Sequence, residues 1–257
     1  MRLVSLFLIL FCAFELIAQP QVLTEQQLGN QRVWNARLSS DENLKKAFLA
    51  ANLQYPPKFV YWRAFKKEQL MELWAADSVH QRYKLVKSYY IVRLSGSLGP
   101  KRCEGDFQVP EGYYNINQYN PYSSFYLSFK VSYPNKSDSI LGKKGSYGGE
   151  IFVHGDSLTI GCMPMSNDII KELYWCNIQA QGNRDTNYHI PFHIYPCKMT
   201  AANWYYLKSY YKFDPPRLDF WKNLQDGYNY FELMRSPPST KVDEKGKYVV
   251  KYKTRKG

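Results

Sequence analysis

A mainly β body of the α+β class, an antiparallel sandwich or open barrel with one internal helix and helical segments at either end, is the fold this sequence predicts. Three observations carry the expectation. Between residues 56 and 200, short runs rich in aromatic and β-branched residues recur, divided by Gly, Pro, Asn and Lys; strands and turns alternate this way in antiparallel sheets. One stretch near residue 170 instead sets apolar residues at helical spacing. The 14 Phe, 6 Trp and 23 Tyr among 257 residues supply enough apolar surface to offset the ordering entropy of one large domain, which excludes a disordered chain. No internal repeat or low-complexity tract is present.

The elements follow in order. Met1-Arg2 precedes an uncharged run from Leu3 to Phe14 that ends near Leu16-Ile17-Ala18, and this reads as a secretory signal peptide over residues 1–18. The run is well short of the roughly 20 residues that a membrane-spanning helix needs. Bulky Phe11 ahead of Cys12 argues against a lipid anchor there. Residues 19–55 are polar and form a helical N-terminal segment, with a helix over 41–51 that Ser40 or Asp41 can cap and that Pro56-Pro57 closes. Strand signals follow at 59–62, 71–74, 83–94, 112–116, 125–131 and 150–153. A helix over 167–177 groups Ile169, Ile170, Leu173 and Tyr174 on one face behind a cap at Ser166 or Asn167. Residues 190–195 alternate as a strand. Beyond 200 a basic, aromatic extension over 201–257 holds Trp204-Tyr205-Tyr206 and Tyr210-Tyr211, a helix over 218–234 after Pro215-Pro216, and a short strand over 248–250. Packing against the β body is the default role of its aromatic cluster, with stacking on sugar rings as the alternative.

Lys and Arg number 34 against 22 Asp and Glu, a net charge of +12. Removal of residues 1–18 takes away Arg2 and Glu15 and leaves that balance unchanged. Such a charge seeks an anionic partner, and export sets nucleic acid aside. Metal chemistry finds little support: no CxxC occurs, and His80, His154, His189 and His193 lack a tight ligand spacing with the cysteines. His189 and His193 would share one face of a strand, where a structural pair is the expected reading. Neither metal nor cofactor is expected.

The chemistry concentrates in residues 151–165. A strand delivers His154 to Gly155, a brief polar loop follows, and Gly161-Cys162 precedes a helix N-terminus. A nucleophilic thiol needs a neighbouring base, and a helix N-terminus would lower its pKa from about 8.5. His154 can take the thiol proton and return it to a leaving amine. Gly161 lets the backbone turn so that amides around Cys162 face a developing oxyanion. Standing alone, a single Cys in an apolar setting is a small buried hydrophobe; the flanking residues decide otherwise.

Those flanks, His154-Gly155 followed by Thr159-Ile160-Gly161-Cys162, resemble the L,D-transpeptidase (YkuD-type) catalytic domain, whose signature is His-Gly and then Ser/Thr-x-Gly-Cys. The likeness extends upstream to Ser95 through Lys101, to Glu104-Gly105-Asp106 and to Pro110-Glu111-Gly112-Tyr113-Tyr114-Asn115-Ile116, and the short His-to-Cys loop resembles the YafK branch. The resemblance implies a β-rich, partly open sheet forming a catalytic domain over 56–200. It implies Cys162 as nucleophile, His154 as general base, the Gly161 and Cys162 amides as oxyanion hole and Thr159 as loop support, with peptidoglycan stem peptides as substrate. The acyl-enzyme would pass to an amine to give a 3-3 crosslink; water in its place gives an L,D-peptidase. A non-catalytic wall-binding module is the remaining alternative. All three place the protein in the periplasm or cell envelope, peripheral to the wall.

Two departures from the family pattern stand out. Pro164 occupies the position two after the Cys where many members carry Arg or Asn, so the residue that holds the substrate carboxylate is open. Lys101, Arg102 and Lys198 are candidates by charge, and Gly155 lies on the substrate side. The interval of eight from His154 to Cys162 is also shorter than the lid-bearing loop of many relatives, which should admit water to the thioester. Asp156, two residues from His154, is read as a solvated loop residue rather than a triad member. Ser157 lacks a nucleophile elbow. Cys103, Cys176 and Cys197 are read as structural, two of them able to pair in an oxidising compartment.

Overall fold

The structure, a computed structural model, describes residues 21–183 and 188–251. The signal-peptide reading of residues 1–18, Cys12 included, falls outside the described residues. Elements run in the order α1 (Gln21–Leu28), α2 (Gln31–Ala50), β1 (Phe59–Phe65), β2 (Leu70–Ala76), β3 (Lys84–Tyr90), β4 (Gly112–Asn120), β5 (Ser128–Val131), α3 (Lys136–Leu141), β6 (Phe152–His154), β7 (Met163–Pro164), α4 (Asn167–Gly182), β8 (Ile190–Tyr195), α5 (Ala201–Tyr210), α6 (Pro215–Met234), β9 (Ser239–Val242) and β10 (Tyr248–Lys251).

Eight strands form one open sheet in the order β3-β2-β1-β8-β4-β5-β6-β7, and β9 pairs with β10 in a separate hairpin. The sheet is mixed rather than wholly antiparallel, because β1 runs parallel to β8 and β6 parallel to β7. Parallel neighbours need a long crossover, and the chain between β1 and β8 holds most of the body. β1 shows why the sheet is covered on both sides. Its alternating side chains point in opposite directions, so Val60, Trp62 and Ala64 join Leu44, Phe48 and Leu173 of α2 and α4. Tyr61 and Phe65 point the other way, toward Phe231, Trp221, Leu224 and Tyr228 of α6. The expected helical segments at both ends are therefore two outer layers over one sheet.

Helix boundaries correct several sequence expectations. α2 starts ten residues before position 41, where the Asn30 side chain accepts the Arg32 N–H at 2.9 Å. Ser40 and Asp41 cap nothing: Ser40 is buried on the inner face between Ala36 and Leu44, and Asp41 accepts hydrogen bonds from Trp175 Nε1 and Tyr55 Oη at 2.6 and 2.7 Å. α4 has its expected cap, Ser166, and continues to Gly182. The aromatic run after Thr200 is a helix, α5, with Thr200 as its cap. Pro215 and Pro216 lie inside α6 as its first residues behind the Asp214 cap, where a missing N–H costs nothing.

Candidate active site

β6 and β7 set the geometry. Their parallel register pairs Val153 with Met163 and His154 with Pro164, which places Phe152 beside Cys162. Because alternate side chains share a face, His154 and Cys162 lie on the same side of the sheet edge, two residues apart along neighbouring strands. The loop between them is tied from within. Thr159 Oγ1 donates to the Cys162 carbonyl at 2.6 Å and accepts the Gly161 N–H at 3.2 Å. Gly161 has a φ of +139°, a conformation that L side chains rarely adopt, and a Cβ there would come within 3.3 Å of the Gln108 carbonyl oxygen.

His154 is buried at the end of β6. Its Nδ1 lies 2.5 Å from the carbonyl oxygen of Gly155. A carbonyl only accepts, so Nδ1 carries the hydrogen and Nε2 keeps its lone pair. The Phe125 ring covers the imidazole at a centroid distance of 4.7 Å. Burial holds His154 below its ordinary range, against the opposing influence of the Gly155 carbonyl and of Asp156. Asp156 itself is exposed and accepts the N–H of Ser157; it is a loop residue, with no hydrogen bond to the imidazole.

The Cys162 thiol is half-buried, and burial raises its pKa above the ordinary 9.0; the Phe152 N–H and the Lys101 charge pull weakly the other way. This corrects the expectation of a thiolate held by a helix N-terminus, since α4 starts only at Asn167, beyond β7 and the Ser166 cap. Sγ accepts the Phe152 N–H at 3.4 Å and donates to the Glu150 carbonyl at 3.6 Å. Among the described residues no hydrogen bond links Sγ to the imidazole. Thiol and imidazole are thus both neutral near pH 7, a pair suited to proton transfer during attack rather than to a standing ion pair.

Of the residues proposed around this centre, Gly155 is packed tightly, since a Cβ would meet Asn167 Oδ1 at 2.5 Å and the Phe125 carbonyl at 2.8 Å. Lys101 is buried, donating to Asp106 at 2.6 Å and to the Cys103 carbonyl at 2.8 Å, and its charge reaches the thiol. Arg102 faces away. Its guanidinium lies 4.6 Å from the centre of the Phe220 ring and 3.4 Å from Asp138, in a cleft against α6. Lys198 is taken up by Glu72 at 2.9 Å. His193 sits in the core, paired with Tyr61 Oη at 2.8 Å and pushed down to about 3 by burial. All four described cysteines are free thiols, so the expected pairing among Cys103, Cys176 and Cys197 is absent; Cys176 and Cys197 lie in different cores.

Sequence reasoning did not single out Phe125, the Phe152 N–H or the Gln108 carbonyl. Phe125 and Gln108 come from segments remote from the motif, and the Phe152 N–H, two residues before His154, is a backbone group that no residue pattern marks. The loop also exposes Leu158 and Ile160.

Comparison with known proteins gives the context. The YkuD family, the L,D-transpeptidase catalytic domain, matches residues 61–176. An Escherichia coli (strain K12) protein named "Putative L,D-transpeptidase YafK" is 38% identical over 193 residues, which cover 74% of this chain and 73% of that protein. Among solved structures, the helical cell shape determining protein Pgp2 from Campylobacter jejuni aligns with a TM-score of 0.40 and 16% identity, over 78% of this chain and 80% of that one. L,D-transpeptidase 1 of Mycobacterium tuberculosis aligns with a TM-score of 0.29 and 13% identity, over 53% and 61%.

Proposed function

The chain belongs to the L,D-transpeptidase family, and on that premise we propose that it is an exported, cysteine-dependent enzyme acting on peptidoglycan stem peptides. One observation carries the reading: Nδ1 of His154 is held by the Gly155 carbonyl, so the basic Nε2 belongs to the face of the sheet edge that also bears Cys162. Rotation of the Cys162 side chain away from the Glu150 carbonyl brings its proton to Nε2. Sulfur attacks the carbonyl carbon after the stem's diamino acid, and the carbonyl electrons move to oxygen. The Cys162 N–H receives that oxyanion; the Gly161 N–H contributes by sharing its bond to Thr159 Oγ1. Collapse breaks the peptide bond, the imidazolium proton passes to the departing D-alanine amine, and a thioester remains. An acceptor amine then attacks the thioester, gives up a proton to His154 and restores the thiol, leaving a 3-3 crosslink.

A second reading, hydrolysis of stem peptides or of protein attachments to them, is favoured by the short loop with its exposed Leu158 and Ile160. Nothing in that loop spans the thiol as a lid, so water can reach the acyl group. Incubation with disaccharide tetrapeptides separates the cases. D-alanine release with crosslinked dimers supports the transpeptidase, and release without dimers supports the hydrolase. Absence of both, together with no acyl adduct on Cys162 by intact mass, would leave only a wall-binding module.

A further inference from the structure

The C-terminal segment bears a surface that the proposed chemistry does not use. α5 buries only Leu207. Tyr206 and Tyr210, four residues apart, share one face, Tyr205 projects about 100° round the helix from Tyr206, and Phe213 follows just past the helix. Tyr205 is 75% exposed, Tyr210 70% and Phe213 88%. Single exposed aromatics need no explanation, whereas several clustered within nine residues mark a contact surface. Tyr206 and Tyr210 stack on one another at 5.6 Å, so the stripe is ordered before any partner arrives.

The charges around the stripe have one sign. Lys67 lies over the Tyr206 ring at 5.0 Å, Lys208 over Trp204 at 5.8 Å and Lys212 over Phe213 at 4.8 Å. No acidic residue occurs between positions 201 and 213. The nearest carboxylates are already engaged, Glu68 with Asn203 and the Lys198 N–H, and Asp214 with Arg217. Among the described residues no salt bridge reaches Lys208 or Lys212.

From this arrangement we propose that α5 and the turn after it dock on an anionic lipid surface, with Tyr205, Tyr210 and Phe213 entering the headgroup boundary and Lys67, Lys208 and Lys212 reaching the phosphates. Exposed aromatic rings enter the headgroup boundary while lysines beside them keep their ammonium groups at the phosphates. Glycan is the weaker fit. A sugar platform needs acceptors beside the ring for the hydroxyl groups, and here the neighbours of the rings are ammonium groups, while Asn203 Oδ1 already accepts from Lys67 at 3.1 Å and its Nδ2 donates to Glu68 and the Lys198 carbonyl. Phe213 has no polar tip at all. Among the described residues no helix is long and apolar enough to cross a membrane, so the contact is peripheral.

The test uses the chain starting at Gln19, which keeps every described element and removes the apolar leader. Sedimentation with vesicles of phosphatidylethanolamine and phosphatidylglycerol is compared with vesicles of phosphatidylcholine alone. The proposal expects binding to the anionic vesicles only, weakening with added salt. Lys208→Gln with Lys212→Gln should reduce affinity about 25-fold, at about fivefold for each lysine near a charged surface. Tyr205→Ser with Phe213→Ser should abolish sedimentation, and both pairs should melt at the parent temperature because the changed side chains are all exposed. Equal vesicle binding by parent and variants overturns the proposal. So does loss of binding to isolated sacculi in the variants when the parent binds no vesicle.

Discussion

Replacing Thr159 by Val tests whether the loop between His154 and Cys162 is held for catalysis by its own hydroxyl. The side chains are nearly isosteric, and the exchange removes two hydrogen bonds, the 2.6 Å bond to the Cys162 carbonyl and the 3.2 Å bond from the Gly161 N–H. An unmet polar partner costs about 1–3 kcal/mol, and the half-exposed loop, where water can partly substitute, puts the loss toward the lower end. Both bonds belong to the residues expected to position sulfur and oxyanion. If that energy is withdrawn from transition-state positioning, turnover falls by about 5- to 150-fold. D-alanine release from a disaccharide tetrapeptide, followed by chromatography, should show the loss in kcat with KM little changed, because no substrate contact is removed. Thr159→Ser keeps the hydroxyl and should recover most of the rate. Melting should shift by only a few degrees, since for a chain of this size each kcal/mol moves Tm by about 2–4 °C. A Val variant within twofold of the parent, or a Ser variant as impaired as Val, would refute the account of the loop.

Gly161→Ala forces a side chain into a φ of +139° against the Gln108 carbonyl; strain of about 1–3 kcal/mol is expected, read as a lower melting temperature and a loss of turnover larger than that of Thr159→Ser. The pH profile follows from the two shifts. With His154 held below 6.5 and Cys162 raised above 9.0, acylation should be level across neutral pH and fall only as the imidazole protonates below pH 6.5. Alkylation of Cys162 should show a thiolate only above pH 9, and an acid limb above 6.5 or a thiolate at neutral pH contradicts the neutral pair. Glu111→Gln leaves the buried Lys66 ammonium without its partner at 3.0 Å. Breaking a buried pair from one side costs about 3–5 kcal/mol, measurable as a lower denaturant midpoint, and Asp168→Asn, at an exposed pair, should leave the midpoint unchanged.

What was legible in the sequence depended on whether the signal was local. Strands β1, β2, β4 and β8 stand out because alternation and aromatic content are carried within seven or so residues, and α4 because Ile170, Leu173 and Tyr174 repeat at helical spacing. His154, Thr159, Gly161 and Cys162 were legible for the same reason, as a motif within nine positions. The first half of α2 was not, since polar Ser40 interrupts its buried face and only Asn30 marks its start. The parallel pairing of β1 with β8 joins Trp62 to Phe192, and no local pattern encodes a partner that distant. Charge alone does not say where the Lys101 and Arg102 side chains go. Asp106 sets their positions, binding the Lys101 ammonium through one oxygen and the Arg102 N–H through the other, with the lysine charge felt at the thiol and the Arg102 side chain in the cleft against α6. The thiol's shift went against expectation because β7 stands between Cys162 and the helix end, so burial prevails over the dipole, whose reach is the first turn.

The C-terminal segment packs against the second face of the sheet, where Trp221, Tyr228 and Tyr248 meet Phe65, Tyr113 and Tyr195. Trp221 of α6 donates to Glu111 at 2.6 Å, and the other oxygen of that carboxylate accepts the Gly99 N–H at 2.7 Å. Lys66 closes the ring, donating to the Gly99 and Val109 carbonyls at 2.8 and 2.9 Å. The loop fixed in this way carries Lys101 toward the thiol and sets the Gln108 carbonyl against Gly161. Tyr248 of β10 packs on Tyr113 with ring centres 4.5 Å apart, beside Gly112, where any Cβ would strike its hydroxyl at 2.6 Å. A helix more than fifty residues downstream of Cys162 thus bears on the conformation of the thiol loop through one buried carboxylate. The aromatic excess of the segment divides accordingly: Trp221, Tyr228 and Tyr248 fill the second core, while Tyr205, Tyr210 and Phe213 stay outside it because α5 turns Leu207 and Trp204 toward that core.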